Sequence, residues 1–371
     1  MMRVSHSRAI AAGALAVATA LGTATSAGAS PAPAPVPTAA PAPGTAPAAP
    51  PAPTASTRAM MAAAKPAPDG SRLDHVVQIN ANQFNAYVYS AAMGKLIQLE
   101  LIRPTHATGP NPTLYLLNGA DGGESGTTDW EHRTDVVSFF AGKQVNVVIP
   151  IGGASSYYTD WLRPDPVLGK NEWKTFLTKE LPPVIDSALG TTGKNSIAGL
   201  SMSGTSVLSL AESDPGLYKG VGAFSGCAST GGPVGQQYVK LVVDARGGGN
   251  TMNMWGPVDG PDWRANDPLL NAEKLRGTTL YISSGNGLPG PHENLSAPDV
   301  QGDPGKLVQQ VTVGGVIEAA TSQCTQQLRT RLNQLGIPAT YDLRNDGTHS
   351  WGYWQDDLHA AWPVLDKAMR K

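Results

Sequence analysis

The hydrophobic positions beyond residue 70 fall into short runs separated by longer stretches of helical spacing. Lys95–Arg103 (K-L-I-Q-L-E-L-I-R) alternates apolar and polar residues, as a half-exposed strand does. Thr113–Leu117, Val145–Pro150, Asn195–Leu200, Gly220–Ser225 and Thr279–Ser284 are nearly continuous apolar runs, the pattern of strands buried on both faces. Trp130–Phe140, Trp173–Leu189 (with an internal Pro-Pro), Ser203–Glu212 and a closing segment Gln355–Arg370 have helical spacing, and Ala339–Leu343 adds a late strand. Buried strands separated by helices predict one α/β domain with a mostly parallel central sheet and helices on both faces. No internal repeat interrupts it.

The first seventy residues follow a different pattern. Arg3, His6 and Arg8 form a basic head, Ala9–Thr25 is a small apolar run, and Ala27-Gly28-Ala29 is an A-x-A cleavage pattern. Residues 1–29 therefore read as a secretory signal peptide cut after Ala29; the alternative is a permanent anchor, for which the alanine-rich run is short. Residues 30–70 hold twelve of the 31 prolines, mostly alternating with alanine. Such a segment neither pairs as a strand nor buries a core, so it is expected to be a disordered, extended linker. The α/β domain is expected over 71–371.

Composition narrows the function classes. The chain has 371 residues, enough for a sizeable core, and a formal net charge of −2 from 27 basic and 29 acidic residues. That balance argues against nucleic acid as a partner. Cys227 and Cys324 are too few for a thiolate zinc site or a disulfide scaffold, and no metal or other cofactor is expected. In an exported chain two cysteines most simply pair with each other.

Candidate chemistry gathers at the carboxyl ends of the strands. Gly199-Leu200-Ser201-Met202-Ser203 follows a strand and opens a helix, the setting of a nucleophile elbow. The closing glycine of G-x-S-x-G is Ser203 here, with Gly204 one place later; an inert serine in a tight turn is the alternative. Such a serine needs a general base. His349, in D-G-T-H-S-W after the last strand, stands where the chain order Ser, acid, His demands; His292 and His359 are the rivals.

These residues lie among motifs that make the sequence resemble the secreted mycolyltransferases of mycolic-acid bacteria, the antigen 85 family, most of all its corynebacterial branch. They are Y-L-L-N-G-A at 115–120, I-P-I-G-G-A-S-S-Y-Y-T-D-W at 149–161, W-K-T-F-L-T-K-E-L-P at 173–182, G-L-S-M-S-G at 199–204 and F-S-G at 224–226. M-W-G-P at 254–257, R-A-N-D-P-L-L at 264–270, S-G-N-G at 284–287 and T-H-S-W-G-Y-W at 348–354 complete the series. The resemblance implies an α/β-hydrolase fold and an acyltransferase that moves a mycoloyl chain from trehalose monomycolate to trehalose or cell-wall arabinan. Trehalose mycolates and cell-wall glycan would be its partners, and a monomer in the cell envelope its form.

Carried over by position, the nucleophile is Ser201, the base His349 and the acid Glu318, in I-E-A-A; Asp299 and Asp303 compete as the acid. The oxyanion hole would combine the backbone N–H groups of Met202 and Ala120. Ser225 matches a second site serine that supports base or sugar, Asn118 a sugar-binding position, and Ser350 and Trp351 residues lining the sugar pocket. The chain departs from mycobacterial members at Asn118, where they carry Asp, and at Asp121, where they carry Arg, which leaves the sugar contacts open. A simple carboxylesterase and a non-catalytic envelope-binding or adhesive protein remain as alternatives.

Overall fold

The structure is a computed structural model that describes residues 52–371. The expected signal peptide and most of the expected linker lie outside the described residues. Nine strands form one sheet: β1 (Arg72–Gln78), β2 (Gln83–Ser90), β3 (Lys95–Ile102), β4 (Thr113–Leu117), β5 (Asn146–Ile151), β6 (Asn195–Leu200), β7 (Tyr218–Phe224), β8 (Thr279–Ser284) and β9 (Thr340–Leu343). Their spatial order is β1-β2-β3-β5-β4-β6-β7-β8-β9. The first three strands and the β3–β5 pair are antiparallel, and every pair from β5 to β9 is parallel. This is the expected α/β fold, extended at one edge by β1 and β2, which were not among the strands expected.

The two sheet faces bury separate sets of side chains. Tyr115 and Leu117 of β4 belong to one apolar cluster, with Val184 and Ile185 of α2 (Leu181–Leu189) and Val207 and Leu208 of α3 (Met202–Ser213). Leu114 and Leu116 point the other way, into a cluster with Trp130, Phe140 and, from the last helix, Leu358 and Leu365. That alternation within a wholly buried strand is why β4 reads as continuously apolar rather than as a period-two pattern.

Three further helix features bear on the site. The acid helix α4 (Gly315–Leu335) continues a helix that starts at Pro304, and the two are joined by a wide π turn, Gln310–Gly314. The closing helix α5 (Trp351–Met369) starts two residues after His349. Residues 130–141 form two short helices rather than one, because Thr134 takes extended geometry between them.

The expected linker ends earlier than residue 70. Ala55–Ala63 forms a helix, α1, whose Thr57 and Met60 are buried. It packs against α2 and β1. Between Pro53 and Pro66 the alternation of Pro and Ala stops, and Ala and Met, good helix formers, follow a Thr54 cap whose side chain accepts the Thr57 N–H at 3.2 Å.

Candidate active site

One residue joins β6 to α3. Ser201 has φ 56° and ψ −121°, a left-handed backbone that costs a non-glycine residue on the order of 1–3 kcal/mol. The surrounding chain holds it there. Its N–H donates to the Phe224 carbonyl at 2.9 Å. Ser203 is folded beneath the turn, where its Oγ accepts from the Leu200 N–H at 2.9 Å and lies 3.1 Å from the Leu117 carbonyl. A serine therefore closes this elbow as well as a glycine would, by linking β6 to β4 from below. The close approach falls to its neighbours: a Cβ on Gly199 would stand 2.5 Å from the Ser203 Oγ, and one on Gly204 2.5 Å from the Phe224 carbonyl.

His349 meets the serine from the loop after β9. Its Nε2 lies 2.8 Å from Ser201 Oγ and its Nδ1 2.7 Å from Glu318 Oε2. A carboxylate at Nδ1 fixes the proton there and leaves the Nε2 lone pair to accept the serine hydroxyl. The base loop is anchored where α4 begins, the His349 N–H donating to the Gly314 carbonyl at 3.2 Å.

Glu318 is fully buried and saturated with donors. Its Oε1 accepts from the Gly285 N–H at 2.6 Å, Ser225 Oγ at 2.8 Å and Ser284 Oγ at 3.2 Å. Thr321 Oγ1 joins His349 at Oε2, at 3.3 Å. Burial alone would push the carboxyl's pKa up; the hydrogen bond and charge of His349, then Ser225 and the Gly285 amide, hold it below its ordinary value. The group is an anion placed to balance the charge that the imidazole acquires when it takes a proton.

Ser225, at φ 50°, donates to Glu318, is 1% exposed and accepts from Trp354 Nε1 at 3.1 Å. The Trp354 ring stands edge-on to His349, centroids 4.9 Å apart. Trp354, Ser284, Gly285 and Thr321 were missed in the sequence. T-H-S-W-G-Y-W contained a signal for Trp354, because positions 350 and 354 are one helical turn apart where that helix starts.

The expected oxyanion donors are the N–H groups of Met202 and Ala120. Met202 is the first residue of α3, so its N–H has no partner within the helix. A Cβ on Gly119 would lie 2.9 Å from Leu200 and 3.9 Å from the Ser201 Cβ, which sets Ala120 one residue from the nucleophile. The Ser155 N–H donates to the Ala120 carbonyl at 2.8 Å, and the Tyr157 N–H to Met202 Sδ at 3.3 Å, so loop 152–161 braces both positions.

The side chains expected against the sugar are placed otherwise. Asn118 is fully buried, its Oδ1 accepting the Trp130 N–H at 3.2 Å; it organises the loop after β4 from within. Trp351 is 7% exposed, packed edge-on to Trp130 and Trp354 because it opens α5 over the sheet. Ser350 is buried too, and its Oγ has no partner among the described residues.

The rivals have other work. Asp299 accepts from Arg133 at 3.2 Å and from the Trp351 N–H at 3.1 Å, and Asp303 caps the helix at Pro304. His292 pairs with Asp356 at 2.7 Å, and His359 with Asp135 at 2.8 Å. Cys227 and Cys324 form a disulfide that links the chain after β7 to α4.

An Esterase family model matches residues 90–365. The chain is 31% identical over 292 residues to a diacylglycerol acyltransferase/mycolyltransferase Ag85B of Mycobacterium leprae, with 76% of this chain and 83% of that protein covered. It is 32% identical to an Ag85A of the same description from Mycobacterium bovis, at 76% and 80% coverage. Among solved structures it resembles MPT51 (FbpC1) of Mycobacterium tuberculosis, with TM-score 0.62, 24% identity and coverage of 76% and 96%. An S-formylglutathione hydrolase of Agrobacterium tumefaciens matches at TM-score 0.53 and 16% identity, over 80% and 99%. These two likenesses show the fold, that of the α/β-hydrolases.

Proposed function

The chain belongs to the antigen 85 mycolyltransferases, within the Esterase family, and on that premise we propose that it moves a mycoloyl chain from trehalose monomycolate to trehalose or cell-wall arabinan. The observation that carries this reading is the hydrogen-bonded chain Ser201–His349–Glu318 at a strained elbow. A degenerate, adhesive relative would have no need to keep so many donors on one buried carboxylate.

The chemistry follows from the geometry. Ser201 Oγ attacks the donor's ester carbonyl while His349 Nε2 takes its proton. Glu318 balances the imidazolium that forms, and the N–H groups of Met202 and Ala120 receive the oxyanion. Collapse expels the donor sugar alkoxide, which leaves with the proton from His349. The acceptor hydroxyl then gives its proton to the same nitrogen and attacks the acyl-serine; the bond to Ser201 Oγ breaks, Oγ takes that proton back from His349, and the new ester is released. No other reactant is required. With Met1–Ala29 as an export signal, the work is done in the cell envelope.

The test is to incubate the protein with trehalose monomycolate and trehalose and to resolve dimycolate from free mycolic acid. Dimycolate is expected, with fluorophosphonate labelling Ser201 and Ser201→Ala reducing the rate by roughly three or more orders of magnitude. Free acid alone would make the protein an esterase. No turnover and no label would leave a binding protein.

A further inference from the structure

The loop after β8 carries a carboxylate that touches neither Ser201 nor Glu318, yet it joins the base loop to the helices on either side of it. Glu293 accepts four hydrogen bonds. Oε1 takes Thr348 Oγ1 at 2.5 Å and Gln310 Nε2 at 2.9 Å; Oε2 takes the Gly290 N–H at 2.6 Å and the Tyr353 hydroxyl at 2.6 Å. A carboxylate offers about four lone-pair sites, so this one is filled.

The origins of the donors give the arrangement its meaning. Thr348, fully buried, is the residue before His349. Gln310 starts the π turn that leads into α4, four residues before the Gly314 carbonyl that accepts the His349 N–H. Tyr353 lies in the first turn of α5, and a Cβ on Gly347 of the base loop would meet its ring at 3.2 Å. Glu293 thus ties the base loop to the acid helix and to the closing helix at once, one residue from the imidazole.

We propose that Glu293 is a positioning residue for His349, setting the base between Glu318 and Ser201 by holding Thr348 and Gln310 on one oxygen. The inference rests on the reading of His349 as the general base. Both contacts of His349 are near 2.8 Å and both come from one ring, so a small shift of residues 348–349 lengthens one as it shortens the other. Displacements of about 1 Å in such a site cost up to about 10²-fold in rate.

Glu293→Gln keeps the shape but replaces one acceptor oxygen by a donor, which turns an NH2 group toward two of the four donors. Expected is a fall of about 10- to 100-fold in the transfer kcat, with the donor KM within about twofold and phosphonylation of Ser201 slowed in parallel. The low-field proton resonance of His349 Nδ1–H should shift or broaden at temperatures where the variant remains folded. Thr348→Val, which removes only the hydroxyl, should reproduce the kcat loss, and the double variant should be no slower than the worse single one. Thr348→Val also serves if Glu293→Gln does not fold. Wild-type labelling rate and kcat in either variant, with only a lowered melting temperature, would reduce Glu293 to a stabilising contact and overturn the proposal. A wild-type protein that is not labelled at Ser201 overturns the triad reading, and this inference with it.

Discussion

Replacing both Cys227 and Cys324 by alanine should lower the melting temperature by about 7 °C and also slow the reaction at Ser201. The bridged residues are 97 positions apart. Closing a loop of that length removes about 4.7 kcal/mol of unfolded-chain entropy in the loop-closure account. For a body of about 320 residues at roughly 2.1 cal/mol/K per residue, the unfolding entropy is about 670 cal/mol/K, so that loss corresponds to about 7 °C. Alanine suits both sites: Cys324 is 2% exposed within α4, Cys227 is 6% exposed, and neither would tolerate a lone hydroxyl well. The effect on chemistry comes from where the bridge is attached. Cys227 lies two residues beyond Ser225, which donates to Glu318; Cys324 lies six residues beyond Glu318 on the same helix, about 9 Å along its axis. Scanning calorimetry on oxidised wild type, reduced wild type and the double variant gives the first readout, with alkylation and peptide mapping to count free thiols. The fluorophosphonate labelling rate gives the second. A shift below about 2 °C with both thiols free would refute the entropic magnitude. An unchanged labelling rate beside the full shift would refute the coupling to the acid and leave a purely stabilising staple.

Two other perturbations test the fold around the site. Met60→Ala, at a position 2% exposed in α1, should cost about 2–4 kcal/mol in urea unfolding, whereas a linker residue would cost nothing measurable. Glu100 on β3 is pushed up to about 8, first by burial and then by Glu131 and Asp129. Its proton is bound more tightly in the folded chain than in the unfolded one, so it lowers stability as pH rises from about 4 toward 8. Glu100→Gln should therefore be more stable than wild type by a margin that grows from pH 5 to pH 8, and urea midpoints that run parallel across that range would contradict it.

Much of this protein was legible along the chain because its signals are local. β4, β6 and β8 lie where their apolar runs do, since a strand buried on both faces is mostly apolar and admits only a few small polar side chains, such as Thr113, Ser196 and Ser284. Ser201 and His349 stood out as candidates because an elbow needs small residues at fixed spacing and because a base is expected after the last strand, whereas Glu318 entered only through the family resemblance, with Asp299 and Asp303 as rivals. What failed was judged on composition or on analogy. Helix α1 was lost in a proline-rich background, although the twelve residues between Pro53 and Pro66 carry no proline. β1 and β2 pair at the edge with one face toward solvent; β1 also carries a bulge between Leu73 and His75, so its alternation is broken. Asn118 and Trp351 were expected against a sugar from the resemblance alone, and the structure buries both side chains in the packing.

The sequence by itself determined the candidate serine and histidine and the order in which most strands and helices follow. Only the tertiary structure decided how a buried carboxylate stays ionised, because its donors come from the residue after β7, the end of β8 and the residue after it, α4 and the base loop, up to 93 positions away along the chain. Hydrogen-bond saturation of that kind is a property of converging chain segments, and no window of sequence contains it.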